Sequence, residues 1–424
     1  MRILVVGGGG REHALIKKLS ENRSIDKIYA LPGNGGIAYL AECVPIAATD
    51  IDKIAAFAAE KSIDFVVVAP DDPLVLGLVD RLNDLGIPSF GPDKRAAIIE
   101  GSKVFSKELM RTYGIPSAKY RVFSDADAAI DYIKAEGTYP TVIKADGLAL
   151  GKGVIIAVDF DEAVAAVKSI LSDKAFGKSG DRIVVEEFLR GPEVSVLSFT
   201  DGKTVVPMIS SMDHKRAGNG DTGLNTGGMG TIAPNPYYTE DIADRCMREI
   251  FMPTIEAMNK EGRTFKGCLY FGLMLTNDGP KVIEYNCRFG DPEAQVVLAL
   301  LKTDLFDIMQ AVISVRLADI KIEYSDGAAC CLCVTSGGYP GAYKKGLPIA
   351  ITPANGTDVF FCHAGTALKS GKLVTSGGRV LGVVSVADTL RTAVAKSYKY
   401  VKNVSFEGMY YRDDIGKKAL KLKK

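Results

Sequence analysis

The sequence predicts a multidomain chain of the α/β and α+β classes, and three observations carry that prediction. Over about the first hundred residues short apolar runs alternate with helical patterns, as in a parallel, doubly wound sheet. After Lys103 the texture changes to β-rich runs that flank a glycine-rich turn and precede an amphipathic helix. From about Ile320 the chain is rich in Val, Gly and Thr and reads as mostly β.

Residues 2–6 read as a buried strand, a short apolar run ending in Gly7-Gly8-Gly9-Gly10. A helical pattern follows through Ala14, Leu15 and Leu19. Strands are expected at 28–31, 65–69 and 88–90, with helices at 54–59 and 75–85. Residues 103–113 predict a helix that stops at Gly114-Ile115-Pro116. Extended runs follow at 119–122, 141–144, 154–158 and 183–188, with an amphipathic helix at 161–172. Strands at 194–199, 269–275 and 282–286 then accompany helices at 240–259, 293–301 and 305–315. The basic residues 417–424 read as a solvated terminus, and no tandem repeat is visible.

A chain of 424 residues needs more than one core. Hydrophobic residues make up 47% and charged residues 24%, with a formal net charge of +1. No global field draws such a chain to nucleic acid or membrane, so neither is expected as a partner. Anions must be held by local basic groups and backbone amides. The apolar run at 3–6 is too short for a signal peptide, and no stretch approaches the roughly 20 apolar residues that span a bilayer. The eight cysteines form no disulfide framework, and Cys330 and Cys333 lack a second pair at zinc spacing. Buried core thiols in a soluble, cytoplasmic protein are expected.

The first glycine loop fails the dinucleotide fingerprint. Counted from Gly7 the third position is Glu12, counted from Gly8 it is His13, and no acid stands at the second strand's tip near Pro32-Gly33-Asn34-Gly35. The glycines still let backbone amides approach an anion at a helix N-terminus, with Arg11 and His13 as side-chain donors. A monophosphate or phosphosugar fits better than a dinucleotide, and a ligand-free turn is the alternative. The second loop, Lys144-Ala145-Asp146-Gly147-Leu148-Ala149-Leu150-Gly151-Lys152-Gly153, is not a Walker A sequence, because Gly153 follows Lys152. A glycine hairpin with a lysine on the preceding strand can close over a triphosphate and exclude water; a plain hairpin is the alternative.

In Val282-Ile283-Glu284-Tyr285-Asn286, period-two alternation puts Glu284 and Asn286 on one face. Two hard oxygen ligands about 7 Å apart suit Mg²⁺ that bridges nucleotide phosphates. The next segment, Arg288-Phe289-Gly290-Asp291-Pro292-Glu293, packs a guanidinium, a glycine and two acids together. Pro292 suits the first turn of the following helix, and Asp291 would be its N-cap. A second charged knot, Ser211-Met212-Asp213-His214-Lys215-Arg216, opens a long glycine-rich polar loop that argues for ligand contact. The three histidines offer no nucleophile–base triad, and neither a G-x-S-x-G nor a zinc-protease motif is present.

Together these segments resemble the glycinamide ribonucleotide synthetase (phosphoribosylamine–glycine ligase) family over essentially the whole chain. The most specific element is Arg288-Phe289-Gly290-Asp291-Pro292-Glu293-Ala294-Gln295, which fits the family signature R-[LF]-G-D-P-E-x-[EQ]. The resemblance implies that ATP, glycine and 5-phosphoribosylamine give ADP, phosphate and glycinamide ribonucleotide. It implies a Rossmann-like phosphoribosylamine-binding domain at 1–102, an ATP-grasp core lobe at 103–122 and 188–325, a lid lobe at 123–187, and a β-rich domain at 326–424. Substrate contacts are then expected at Gly8, Gly9, Gly10, Arg11, Glu12, His13, Gly33, Asn34, Gly35, Asp291 and Pro292. Glu284 and Asn286 would hold Mg²⁺ or Mn²⁺; Glu186, Glu187, Phe188 and Leu189 would line the adenine, and Glu193 would reach the ribose. Lys103, Lys144 and the Gly151-Lys152-Gly153 lid are candidates for the ATP phosphates. Charge adds three further candidates for the chemistry: Arg288 for the transferred phosphoryl group or the glycine carboxylate, Asp213 for the glycine ammonium, and Lys215 beside it. A carboxylate is a poor electrophile, so the expected route runs through glycyl phosphate, a matter of positioning and charge neutralisation. A monomer or homodimer is expected. The rivals are another ATP-grasp ligase, a non-catalytic nucleotide sensor and an oxidoreductase.

Overall fold

The computed structural model describes residues 1–149, 153–354 and 356–422. Near the N-terminus five parallel strands lie in the order Glu42–Cys43, Lys27–Pro32, Arg2–Gly7, Phe65–Val68 and Ser89–Phe90. From Ile3 to Val6 the central strand is apolar and buried because both faces are covered. Ile3 and Val5 belong to one core, Leu4 and Val6 to another. Chain order reverses on either side of Arg2–Gly7, so a crevice opens at its carboxyl end, where Gly7 to Gly10 stand. The helix expected at 75–85 is two helices, Asp71–Leu76 and Leu78–Asp84. They meet at Gly77, whose φ of 96° lies in the left-handed region that glycine adopts freely. Helices Lys94–Gly101 and Ala126–Glu136, capped by Asp93 and Asp125, were not foreseen.

Four antiparallel strands form the next sheet, in the order Tyr120–Phe123, Ile183–Glu187, Thr141–Ala145 and Val154–Ala157. Helices Ala126–Glu136 and Phe160–Val167 supply Ile133 and Ala163 to its core, beside Ile143 and Ile183. The helix expected at 161–172 ends as a π turn, Lys168–Ser172. A similar π turn, Met247–Phe251, interrupts the helix expected at 240–259.

A third sheet runs Val205–Pro207, Glu193–Thr200, Gly267–Thr276 and Gly279–Asn286, all antiparallel. Its register shifts by one residue, since Gly272 pairs with Glu284 while Leu273 pairs with Val282. Ile283 is thus a bulge, and it resets the alternation. Val282, Tyr285 and Cys287 all face one core, leaving Glu284 and Asn286 half-exposed on the other side. Cys287 is fully buried beyond the strand end and offers no accessible nucleophile.

The last large sheet takes strands from distant parts of the chain: Met212–Asp213, Gly230–Ala233, Ala328–Thr335, Arg379–Ala387 and Val359–His363. It therefore draws strands from both sides of residue 326. Helix Leu390–Tyr400 packs on it. Residues 417–420 are not a solvated terminus but a short helix, because Ile415 and Ala419 are buried on the same core. All eight cysteines are free, and every one except Cys43 is buried. Among the described residues no helix is long and apolar enough to cross a membrane.

Candidate functional site

Two neighbourhoods gather the residues singled out above, and residues 284–292 join them. The first is a cavity of about 370 Å³ at the crevice of the parallel sheet, lined among others by Gly8, Gly9, Gly33, Asn34, Asp291, Thr366 and Arg379. Glycine is required where its walls meet: a Cβ on Gly8 would lie 2.3 Å from the Gly33 carbonyl oxygen. Gly10 instead packs on Gln295. Glu12 closes the helix start, its Oε2 accepting from the Gly9 N–H at 2.6 Å and its Oε1 from Arg11 Nε at 2.7 Å. Asn34 spends both ends of its amide on the loop, donating to the Gly8 and His363 carbonyls and accepting from Gly36 and Ile37. The Gly35 N–H donates to the Thr366 carbonyl at 2.9 Å.

Two expected donors do not line this cavity. Arg11 turns into the wall, toward Glu12 and the Phe289 carbonyl oxygen at 3.1 Å. His13 is 5% exposed, stacks on His363 with centroids 5.4 Å apart, and accepts the His363 N–H on Nδ1. Burial, reinforced by the charges of His363 and Lys17, lowers His13 to about 3, so it packs as a neutral ring. The cation that does line the cavity is Arg379, which the sequence reading missed. It donates to the Asp291 carbonyl at 2.7 Å and the Gly227 carbonyl at 2.5 Å, and lies 3.4 Å from the Asp291 carboxylate. Its only local signal is two preceding glycines after a strand-like run. Asp291 is not the helix cap; Pro292 holds that position without a side-chain bond, and Asp291 accepts from Gln295 Nε2 at 2.7 Å. Burial opposes ionisation of Asp291, but Arg379 and Arg11 outweigh it and hold its carboxyl below the ordinary value.

The second neighbourhood is a charged cleft between the second sheet, of strands Tyr120–Phe123, Ile183–Glu187, Thr141–Ala145 and Val154–Ala157, and the third. Lys144 donates to the Ile283 carbonyl at 3.0 Å and pairs with Glu186 at 3.1 Å. Glu186 also pairs with Lys107 at 3.1 Å. Lys107 was missed as well; burial lowers it to about 8, against the pull of Glu186. Lys103 donates to the Gly147 carbonyl at 3.0 Å. Glu187 is exposed and accepts the Lys119 N–H at 2.9 Å, while Phe188 and Leu189 are half-buried beyond it. Gly153 accepts the Ala145 N–H at 2.8 Å and closes the hairpin; Gly151 and Lys152 lie outside the described residues. Lys215 stands 3.4 Å from Glu284 and 3.6 Å from Glu193. Lys215, against the cost of burial and with help from Lys144 and Lys103, lowers Glu284 to about 2.

Arg288 connects the cleft to the cavity. It donates to Glu100 at 2.8 Å and to Asn286 Oδ1 at 3.2 Å, and it lies 3.8 Å from Asp71. Neither Glu100 nor Asp71 was anticipated. The buried Nε of Arg288 has no partner among the described residues. Asp213 accepts its neighbour's N–H, from His214, at 2.7 Å. Burial, then the nearby Glu293 carboxyl, pushes Asp213 well above the ordinary value.

Known proteins resemble this chain over nearly its whole length. The phosphoribosylglycinamide synthetase family models match as N domain at 1–100, ATP-grasp (A) domain at 101–294 and C domain at 329–418. The phosphoribosylamine–glycine ligase of Caldanaerobacter subterraneus is 48% identical over 415 residues, covering 98% of this chain and 99% of that one. The ligase of the same name from Agrobacterium fabrum is 48% identical over 420 residues, covering 99% of each. The crystal structure of phosphoribosylamine–glycine ligase from Thermotoga maritima superposes with a TM-score of 0.84 at 34% identity, covering 98% of this chain and all of that one. The biotin carboxylase domain of the Hydrogenobacter thermophilus 2-oxoglutarate carboxylase, in complex with MgADP, reaches 0.74 at 16% identity, covering 96% and 91%. That second likeness shows the shared ATP-grasp fold.

Proposed function

Because the chain belongs to the phosphoribosylglycinamide synthetase family and is an ADP-forming ligase that joins glycine to 5-phosphoribosylamine in purine biosynthesis, we propose how its residues divide the work. The observation that carries the proposal is the continuity of residues 284–292: Arg288 belongs to the cleft and Asp291 to the cavity, three positions apart. A phosphoryl group transferred in the cleft is thus next to an amine held in the cavity. The cavity takes phosphoribosylamine, with glycine-loop amides and Arg379 toward its phosphate and Asp291 beside its sugar. The cleft takes ATP. Lys103 and Lys144 face its phosphates, residues 186–189 its adenine and Glu193 its ribose, and the lid lobe at 123–187 closes over it.

Glu284 and Asn286 fit a divalent cation by the chemistry of their donors, one ionised carboxylate and one amide oxygen on the same strand face. Among the described residues no group of three acids, cysteines or histidines could hold a metal, so this pair would share its ion with phosphate oxygens. When bound, Mg²⁺ or Mn²⁺ would neutralise charge on the transferred phosphoryl group. Arg288, with its free Nε, orients that group or the glycine carboxylate, and Asp213 and Lys215 flank the glycine. The carboxylate attacks the γ-phosphorus and gives glycyl phosphate and ADP. The amine then attacks the acyl carbon and displaces phosphate. Small-molecule substrates, a cytoplasmic setting and a monomer or homodimer complete the reading.

ADP formation measured with glycine and freshly made phosphoribosylamine, each omitted in turn, tests the assignment. Glycine labelled with ¹⁸O in its carboxylate should deliver one labelled oxygen to phosphate per turnover. Amide product accompanied by unlabelled phosphate would overturn the glycyl phosphate route.

A further inference from the structure

The hairpin of strands Arg216–Gly218 and Thr222–Asn225 begins one residue after Lys215, the cation shared by Glu284 and Glu193. Two short strands with an irregular register have little core of their own, and Leu224 near the hairpin's end is 66% exposed. What holds the hairpin comes from residues 410–418, almost two hundred positions later. Arg412, only 1% exposed, donates to the Arg216 carbonyl at 2.9 Å and to Asp221 at 2.9 Å. Its fork is completed by both oxygens of Asp414, at 2.7 and 2.8 Å, and Asp414 in turn accepts the Gly220 N–H at 2.8 Å. The Tyr410 hydroxyl donates to the Ala217 carbonyl at 3.1 Å, and Lys418 pairs with Asp221. The Gly416 N–H donates to His214 Nε2 at 3.1 Å, which leaves Nδ1 to donate to the Gly230 carbonyl at 3.0 Å. His214 and Arg216, the neighbours of Lys215 on both sides, are therefore bonded to the same late segment.

We propose that Arg412 is a positioning residue for the ligation, holding the Lys215 ammonium against Glu284 through Arg216 and the hairpin. The guanidinium is needed for its fork: it meets a carbonyl and two carboxylates at once, which a lysine ammonium cannot do in the same geometry. The inference rests on the assignment of Glu284 and Lys215 to the nucleotide cleft.

The test uses the full chain with Arg412→Lys, Arg412→Ala and Tyr410→Phe. In folded Arg412→Ala and Arg412→Lys, kcat should fall about tenfold or more, as expected when a reacting group is displaced by a fraction of an ångström. The KM for phosphoribosylamine should move less than about threefold, since Arg379 and the glycine loop are untouched. Amide exchange over residues 216–225 should accelerate. Adding Lys215→Ala to Arg412→Ala should cost little more than either change alone, because both remove one arrangement. Fully additive losses, or faster exchange with normal kcat, would overturn the proposal. Should Arg412→Ala not fold, Tyr410→Phe removes a single bond and must still lower kcat and speed exchange; normal kcat there overturns it too. Normal turnover in Glu284→Gln would instead sink the cleft assignment, which separates the two failures.

Discussion

Glu284 is held ionised by a lysine that it touches directly, and its charge is what an isosteric amide lacks. Glu284→Gln should leave a cooperative melt and remove nearly all turnover; near-normal activity in the folded variant would rule out a metal role. Arg379 is the cation that lines the cavity, whereas Arg11 is bonded into the wall. Charge-assisted hydrogen bonds are worth about 1.5–3 kcal/mol, so Arg379→Ala should raise the KM for phosphoribosylamine by about tenfold to a hundredfold. The KM for ATP should stay near its original value. A change confined to ATP would mean that the cavity and cleft have been given each other's ligands.

At the scale of elements, two irregularities do most to shape the site. The bulge at Ile283 aims Glu284 and Asn286 away from the core that Val282 and Tyr285 enter. A regular strand would bury one pair or expose the other. The glycine loop brings Gly8 so close to Gly33 that a single methyl would push backbone against backbone. Gly8→Ala should therefore destabilise the chain by about 1–3 kcal/mol and weaken phosphoribosylamine binding at once. A thermal melt beside a KM measurement checks both, and an unshifted melt would mean the loop yields without strain.

For the whole molecule, all three histidines are buried at joints between elements. His13 and His363 join the first helix to strand Val359–His363, and His214 joins the charged loop to residue 416. Burial lowers them from 6.5 to about 3, 4 and 4 respectively. The unfolded chain then binds more protons than the folded one below pH 6.5, so stability is full above that value and falls as the medium is acidified toward pH 4. Each histidine contributes a slope of up to about 1.4 kcal/mol per pH unit. Denaturant melts between pH 7 and pH 5 should show this loss, and a stable His363→Gln variant should show a shallower one. A stability flat over that range would mean that these rings accept protons in the folded state.

Short-range pattern made much of this protein legible. Helix Lys103–Tyr113 lies where its apolar spacing and Gly114 put it, and short apolar runs marked the strands of the first three sheets except Glu42–Cys43 and Val205–Pro207. The glycine loops, Glu284 with Asn286, and the run from Arg288 to Gln295 were visible because each is contiguous, with a spacing that one strand or one turn imposes. Other partners could not be seen in this way. Arg379 meets Asp291 across 88 positions, and Glu100 meets Arg288 across 188. No local periodicity links such pairs, so their meeting depends on how the sheets pack. His13 and Arg11 misled for the same reason: their residue types suit an anion, but burial and nearer partners had already claimed them. Side-chain chemistry can be read along a chain, whereas the direction a side chain faces and the charges around it arise only once distant segments share a core.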